Sequence, residues 1–372
     1  MHQVEGGGNR RSESPPRAAA RLDATSRAGV AHGVTLTRIL TLASLAAGTS
    51  SLGLDLAALA QAPVASMSSP ITLTLTRTNH WGWHHSFRIA NRAAEILVVP
   101  AIGRVMQFRF LGTDGPFWEN PALHGQAPDP ASAEWGNFGG DKSWPAPQAD
   151  WPKLTPRAWP PPVAFDSMPV EATIESNTLV LTSPIDPHFG IRTRRRIDLD
   201  PVAPVMRIRT EYEKVAGESV RVSVWVITQL KDPVRVFVPV PQDSRFPNGY
   251  LNQSAANPLD LQVTNGLVSL KRDPRRGEKI GNDAGALLWV GENEMLLVEC
   301  PRGPEADYPD GGASAEVWTN PDPLPYIELE TLGPLATMKP GDRLARTNTY
   351  TLLRRASHDL DAEARRVLGV PR

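Results

Sequence analysis

The chain has 372 residues, 41% of them hydrophobic, and a formal net charge of −1. That length suits one large domain or two smaller ones, and the near-neutral balance gives no whole-chain attraction to nucleic acid or an anionic membrane. With 36 Pro, 29 Gly and a single Cys, the composition argues against long helices and excludes an internal disulfide framework or a Cys-based zinc site. Cys300 follows the apolar run Met295–Glu299 and reads as a buried, inert thiol.

Residues 1 to 33 are polar, rich in Gly, Arg, Ser and Ala, and without hydrophobic period, as expected of a disordered leader. Thr37-Arg38 then precede the apolar run Ile39–Ala47, and a second weakly apolar stretch ends in Ala60-Gln61-Ala62. Basic flank, apolar centre and small-residue end are the parts of a secretory signal. Gly48, Ser50, Ser51 and Asp55 interrupt the run too often for a membrane-spanning helix. The expected division is a leader plus signal peptide at 1–62, a single β domain at 63–355 and a helical tail at 356–372. The mature protein is then periplasmic or secreted; the alternative is a disordered cytosolic extension.

From Ile71 the hydrophobic period is two almost throughout. Ile71–Arg77, Arg104–Phe110, Leu179–Thr182, Ile191–Leu199 and Met206–Tyr212 all alternate, and in the last of these Arg207, Arg209 and Glu211 take the solvent side. Ser219–Lys231 is the longest predicted strand. Val220, Val222, Val224 and Val226 form one face, while Trp225, Ile227, Gln229 and Lys231 form another that resembles a groove wall more than a core. Val234–Val240 follows, and Asn265-Gly266 marks a hairpin between Leu261–Thr264 and Leu267–Leu270, because a type I′ turn needs positive φ at both central residues. Ala286–Val290, Met295–Val298, Glu316–Thr319, Tyr326–Thr331 and Arg346–Leu353 complete the strands. Only Ser357–Leu368 reads as a helix, with Ser357 as N-cap. The pattern predicts an all-β protein: one large antiparallel β-sandwich with a short C-terminal helix.

Trp118–Pro169, rich in Pro and Trp, interrupts this pattern as a long loop, and such loops inside compact domains are usually functional. Its centre, Asn137–Pro152, reads NFGGDKSWPAPQADWP. Indole faces suit the C–H faces of a sugar, and Asp141, Lys142 and Gln148 supply hydrogen bonds for hydroxyls. Gly139-Gly140 would let a ligand approach the backbone. Of Trp144, Trp151 and Trp159, at least one should be structural, and Trp144 is the favoured platform. The rim formed here would stand over a floor from Trp225–Lys231 and Tyr326–Thr331.

Glu328 and Glu330 are two apart on a strand, so their side chains leave the same face, roughly 6.5–7 Å apart along the backbone. Paired acids on one face suit acid–base chemistry; a solvated strand face is the alternative. Tyr308, Asp310 and Glu316 gather around Gly311-Gly312, as ligand groups or as a plain loop. Lys279 reads as an exposed loop residue. His80, His84 and His85 read as satisfied surface histidines rather than a zinc site, and Arg192, Arg194, Arg195 and Arg196 as a strand face rather than a nucleic-acid surface.

Several motifs together resemble the DUF4380 family of the galactose mutarotase-like superfamily. They are GGDKSWPAPQ with Trp159-Pro160-Pro161-Pro162, WVITQ at 225–229, YPDGG at 308–312, and YIELETLGP at 326–334 with Lys339-Pro340-Gly341. The resemblance covers residues 70–355 and implies a large sandwich with a concave sugar-binding face. It also implies that Glu330 corresponds to the general base of aldose 1-epimerases, with Glu328 beside it. The place of their acidic His is held by Gln229, which can hydrogen-bond a ring oxygen but cannot protonate it. Lys142, Lys231 or Asp141 could substitute as the acid. The expected function is therefore an exported carbohydrate-binding or carbohydrate-active protein with a sugar or polysaccharide ligand, in which a non-standard epimerase is one form. The rival is a structural or protein-docking module of the envelope using the same face. No metal or cofactor is expected.

Overall fold

Alternating strands that each bury one face can be satisfied by stacking two sheets, and the chain does this. The computed structural model describes residues 73–303 and 306–371; the leader and signal-like segment at 1–62 lie outside them. All strand pairs are antiparallel. The first sheet has eleven strands, running edge to edge β1 (Thr74–His80), β2 (Trp83–Ala90), β3 (Ala94–Val99), β4 (Arg104–Phe110), β5 (Asp141–Ala146), β10 (Val220–Lys231), β19 (Tyr326–Leu332), β18 (Ala315–Thr319), β15 (Glu278–Asn282) and β12 (Leu251–Asn252), with β20 (Ala336–Met338) also pairing to β10. The second has ten: β13 (Gln262–Thr264), β14 (Leu267–Leu270), β11 (Arg235–Pro239), β16 (Ala286–Val290), β17 (Glu294–Glu299), β21 (Arg343–Arg354), β9 (Val205–Lys214), β8 (Ile191–Leu199), β7 (Thr178–Ile185) and β6 (Glu171–Glu175).

The main core lies between the sheets, with Val98, Phe108 and Leu230 of the first meeting Ile197, Ile208, Leu296 and Leu352 of the second. A polar knot is sealed among them. Asp141 and Thr228 of the first sheet bond Arg195 and Tyr350 of the second: Tyr350 Oη and Thr228 Oγ1 each donate to Asp141 Oδ2 at 2.6 Å, and Arg195 pairs with Oδ1. A buried charge pair with its remaining positions hydrogen-bonded is the form that an interior tolerates.

The hairpin at Asn265-Gly266 is present, with φ of 43° and 80°. The C-terminal helix spans Leu360–Leu368 and starts later than the sequence suggests. Asp359 is its N-cap, accepting from Ala362 N at 3.0 Å, while Ser357 Oγ accepts from the Asp359 amide. Among the described residues no helix is long and apolar enough to cross a membrane.

The largest departure from expectation is the long loop. Its DKSWPA segment is β5, an inner strand of the first sheet, and one-turn helices at Trp151–Leu154 and Val163–Asp166 follow it. Pro145 within the strand and Pro147 directly after it hid the strand. Pro145 is tolerated because β5 pairs with β4 only at Asp141, leaving its other edge open there. On that open edge Pro145 O accepts from Trp151 Nε1 at 2.7 Å. Gly139 and Gly140, at φ of 91° and 72°, serve backbone rather than ligand: an added Cβ would collide with Trp118 O and Val105 O.

Candidate functional site

Register decides which side chains share the outer face of the first sheet. Lys142, Ile227, Glu330 and Glu316 lie in one cross-strand row, and Gln229, Glu328, Trp318 and Lys279 in the next. Trp144 stands opposite Trp225. Since side chains alternate, these groups leave one face while Asp141 and Thr228 leave the other. Above this face lies a cavity of about 340 Å³, lined by Trp135, Trp144, Trp159, Trp225, Trp318 and Tyr326 with Gln148, Asn320, Lys279, Glu328 and Glu330.

The aromatic wall is fixed edge to face. Trp144 meets Trp225 at 5.4 Å and Trp135 at 5.6 Å between ring centroids, and Trp135 meets Trp159 at 5.2 Å. Asp166 holds two of these indoles, accepting from Trp144 Nε1 and Trp135 Nε1 at 2.9 Å each while Arg104 pairs with it at 2.7 Å. Trp151 is fully buried and structural, as anticipated for one of the three. Trp144 is only 3% exposed, less open than expected of a platform, whereas Trp159 on the same wall is 44% exposed.

The floor concentrates charge. Lys279 Nζ lies 2.8 Å from Glu316 and 2.9 Å from Glu330, and 5.0 Å above the Trp225 ring. Trp225 Nε1 also donates to Glu330 Oε2, at 2.7 Å. Burial pushes the Glu330 carboxyl up to about 8; Lys279 opposes this, and Glu316 and Glu328 add to it. Burial also works against the charge on Lys279, but Glu316 and Glu330 outweigh it and hold the ammonium well above its usual range. Glu328 is a second hub, accepting from Gln229 Nε2 at 2.9 Å, with Lys142 Nζ at 3.5 Å. Burial lowers the Lys142 ammonium to about 8, partly offset by Glu328. It sits 4.9 Å over Trp144. Gln229 Oε1 is buried with no partner among the described residues.

The structure thus brings together Glu328, Glu330, Trp144, Trp225 and Gln148 around the cavity, with Lys142 and Gln229 bonded to Glu328 directly beneath. Four expected site residues lie elsewhere. Asp141 points between the sheets into the Arg195 pair, on the opposite side of its strand. Lys231 ends β10 and lines a separate cavity with Asp114 and Glu294. Tyr308 is buried under Arg302 and accepts from Gly303 N at 2.8 Å. Asp310 belongs to a turn at φ 51°, beside rather than within the cavity; burial, then Glu316, push its carboxyl up to about 6. Lys279, read as an exposed loop residue, is a strand residue at the centre of the floor. Trp135, Trp318 and Asn320 carry no expectation from the sequence, and Tyr326 enters it only as the first residue of the floor strand. Their signal was present for the β18–β19 hairpin, where Trp318 and Tyr326 have the same parity as Glu316 and Glu328. Trp135 carries no such pattern. His80 is buried against Glu119 at 2.7 Å rather than on the surface, and no metal-holding cluster occurs among the described residues.

The two stacked sheets form an antiparallel β-sandwich whose fold is like that of solved mutarotase-related proteins. A candidate aldose 1-epimerase from Klebsiella pneumoniae subsp. pneumoniae MGH 78578 matches with a TM-score of 0.50 at 11% identity, over 80% of this chain and 87% of that one. A galactose mutarotase-like protein from Lactobacillus casei ATCC 334 matches at TM-score 0.48 and 9% identity, over 72% and 100%. A TPR-domain containing protein from Parabacteroides distasonis ATCC 8503 matches at 0.49 and 13%, over 72% of this chain; the chain spans 46% of that protein's length. Such identities are a likeness of fold alone. Within this class, residues 85–353 match DUF4380, a domain of unknown function, and the chain belongs to that family. No curated protein matches it.

Proposed function

We propose that the protein binds carbohydrate in the cavity over β10 and β19. The supporting observation is the cavity itself: indole walls, one of them open at Trp159, above a floor offering Glu328, Glu330 and Lys279 as hydrogen-bonding partners. Apolar walls with a few convergent polar groups are the usual form of a small-molecule site. Isothermal titration with a panel of neutral mono- and oligosaccharides tests this. Saturable binding, weakened at least tenfold by Trp159→Ala, is expected; a panel without a single binder would sink the proposal.

One observation favours an added proton-transfer step of the isomerase kind. Glu330 stands on the cavity floor with its carboxyl raised by burial to about 8, which suits exchange of a proton with a sugar oxygen near that pH. Polarimetry of freshly dissolved aldoses at pH 7 to 9 would show anomerisation faster than buffer, abolished in Glu330→Gln; a buffer-like rate for the wild type leaves binding alone. We also propose that binding occurs outside the cytoplasm, on the strength of the signal-like residues 37–62. The mass of the mature protein recovered from its native envelope checks this, since an uncleaved N-terminus would contradict it.

A further inference from the structure

The sugar cavity has a neighbour. Trp135 also lines a second cavity, of about 390 Å³, whose lining includes Gln126, Pro128, Glu134 and Arg157. Either cavity alone is at the small end of the ~300–1,000 Å³ range for ligand sites. Two connections tie them. Trp135 is the shared wall, and Trp159 of the first cavity continues in the chain into Pro160 of the second.

Asn137 also gives an independent sign of a missing partner. It is 6% exposed, and its side-chain oxygen is buried with no hydrogen-bond partner among the described residues. Leaving such an acceptor unmade costs about 1–3 kcal/mol, and a sugar hydroxyl would satisfy it. Arg157 uses NH1 on Ser132 O, and Asp166 is already neutralised by Arg104 and the two indoles. Asp129 and Glu134 outnumber Arg157, so the lining repels rather than attracts an acidic sugar.

We infer that the second cavity is a saccharide subsite continuous with the first, so that the ligand is a neutral oligosaccharide of at least two units, laid across Trp135. This rests on the carbohydrate reading above. The test compares glucose and mannose with cellotriose, maltotriose and mannotriose by isothermal titration, on the wild type, Gln126→Trp and Asn137→Ala. Gln126 is exposed, so the bulky replacement fills the second cavity without disturbing the fold. The wild type should bind its preferred trisaccharide at least tenfold tighter than the matching monosaccharide. Gln126→Trp should bring that ratio to near one at unchanged monosaccharide affinity, and Asn137→Ala should lower it part of the way. A trigalacturonate should bind worse than the best neutral trisaccharide. A wild-type ratio near one, or a ratio unmoved by Gln126→Trp, overturns the subsite and leaves the first cavity standing. Absence of binding by every sugar overturns both.

Discussion

The two faces of the same strands, β5, β10 and β19, handle buried charge in opposite ways. Between the sheets, Asp141 has Arg195, Thr228 and Tyr350 on its oxygens, and the knot is closed. On the outer face, Glu316, Glu328 and Glu330 share Lys142 and Lys279, the Glu330 carboxyl and the Lys142 ammonium are both moved to about 8, and Gln229 Oε1 has no partner among the described residues. The inner face is built as structure. The outer face leaves charged and polar groups poised under an aromatic wall, which is how binding and catalytic sites differ from interiors.

Breaking the inner knot should have the largest effect. Asp141→Ala leaves Arg195 buried without its counter-ion, at a cost of about 3–5 kcal/mol, measurable by urea unfolding. Glu330→Gln should cost far less, because burial already disfavours the Glu330 charge and Lys279 keeps its ion pair with Glu316 at 2.8 Å. If the two variants lost similar stability, the contrast between the faces would be wrong.

Next in size is the aromatic wall. Trp159→Ala should weaken sugar binding at least tenfold, about 1.4 kcal/mol, while changing stability little at so exposed a position. Unaltered affinity would return the platform role to another indole.

A smaller effect separates the faces by pH. Glu330 binds its proton more tightly folded than unfolded, so stability is highest below its ordinary value of 4.5 and is lost as pH rises toward about 8. Asp310, raised to about 6, acts in the same direction at lower pH, and Lys142 acts oppositely but above 8. Between pH 6.5 and 8 the wild-type Tm should therefore fall with pH, and Glu330→Gln should flatten that slope. An equal slope in both proteins would remove Glu330 as its source. Least affected should be Lys231→Ala, whose side chain lines another cavity; a clear loss of sugar affinity there would move the site.

How much of this was legible depended on how local the signal was. Val220–Lys231 showed both its faces in its own alternation, and Glu328 and Glu330 declared a common face by spacing alone. Asp141–Ala146 did not, because Asp, Pro and Ala lower strand propensity and the sheet position comes from distant partners. Read as a loop, it let Asp141 and Lys142 appear as neighbours in one site; read as a strand, alternation sends them to opposite faces. Lys279 was lost for a similar reason: EKIGN is a short strand containing a glycine, and only pairing with β18 places it over Trp225. Trp135 reaches the cavity through the Asp166 bond, a contact no periodicity encodes.

The central claim, that the outer face meets sugar while the inner face does not, is tested most directly by saturation-transfer NMR. With a bound neutral saccharide and selective saturation of the indole resonances, transfer to the sugar C–H protons is expected in the wild type and strongly reduced in Trp159→Ala. Transfer that is undiminished in Trp159→Ala, or absent from every sugar in the wild type, would contradict it.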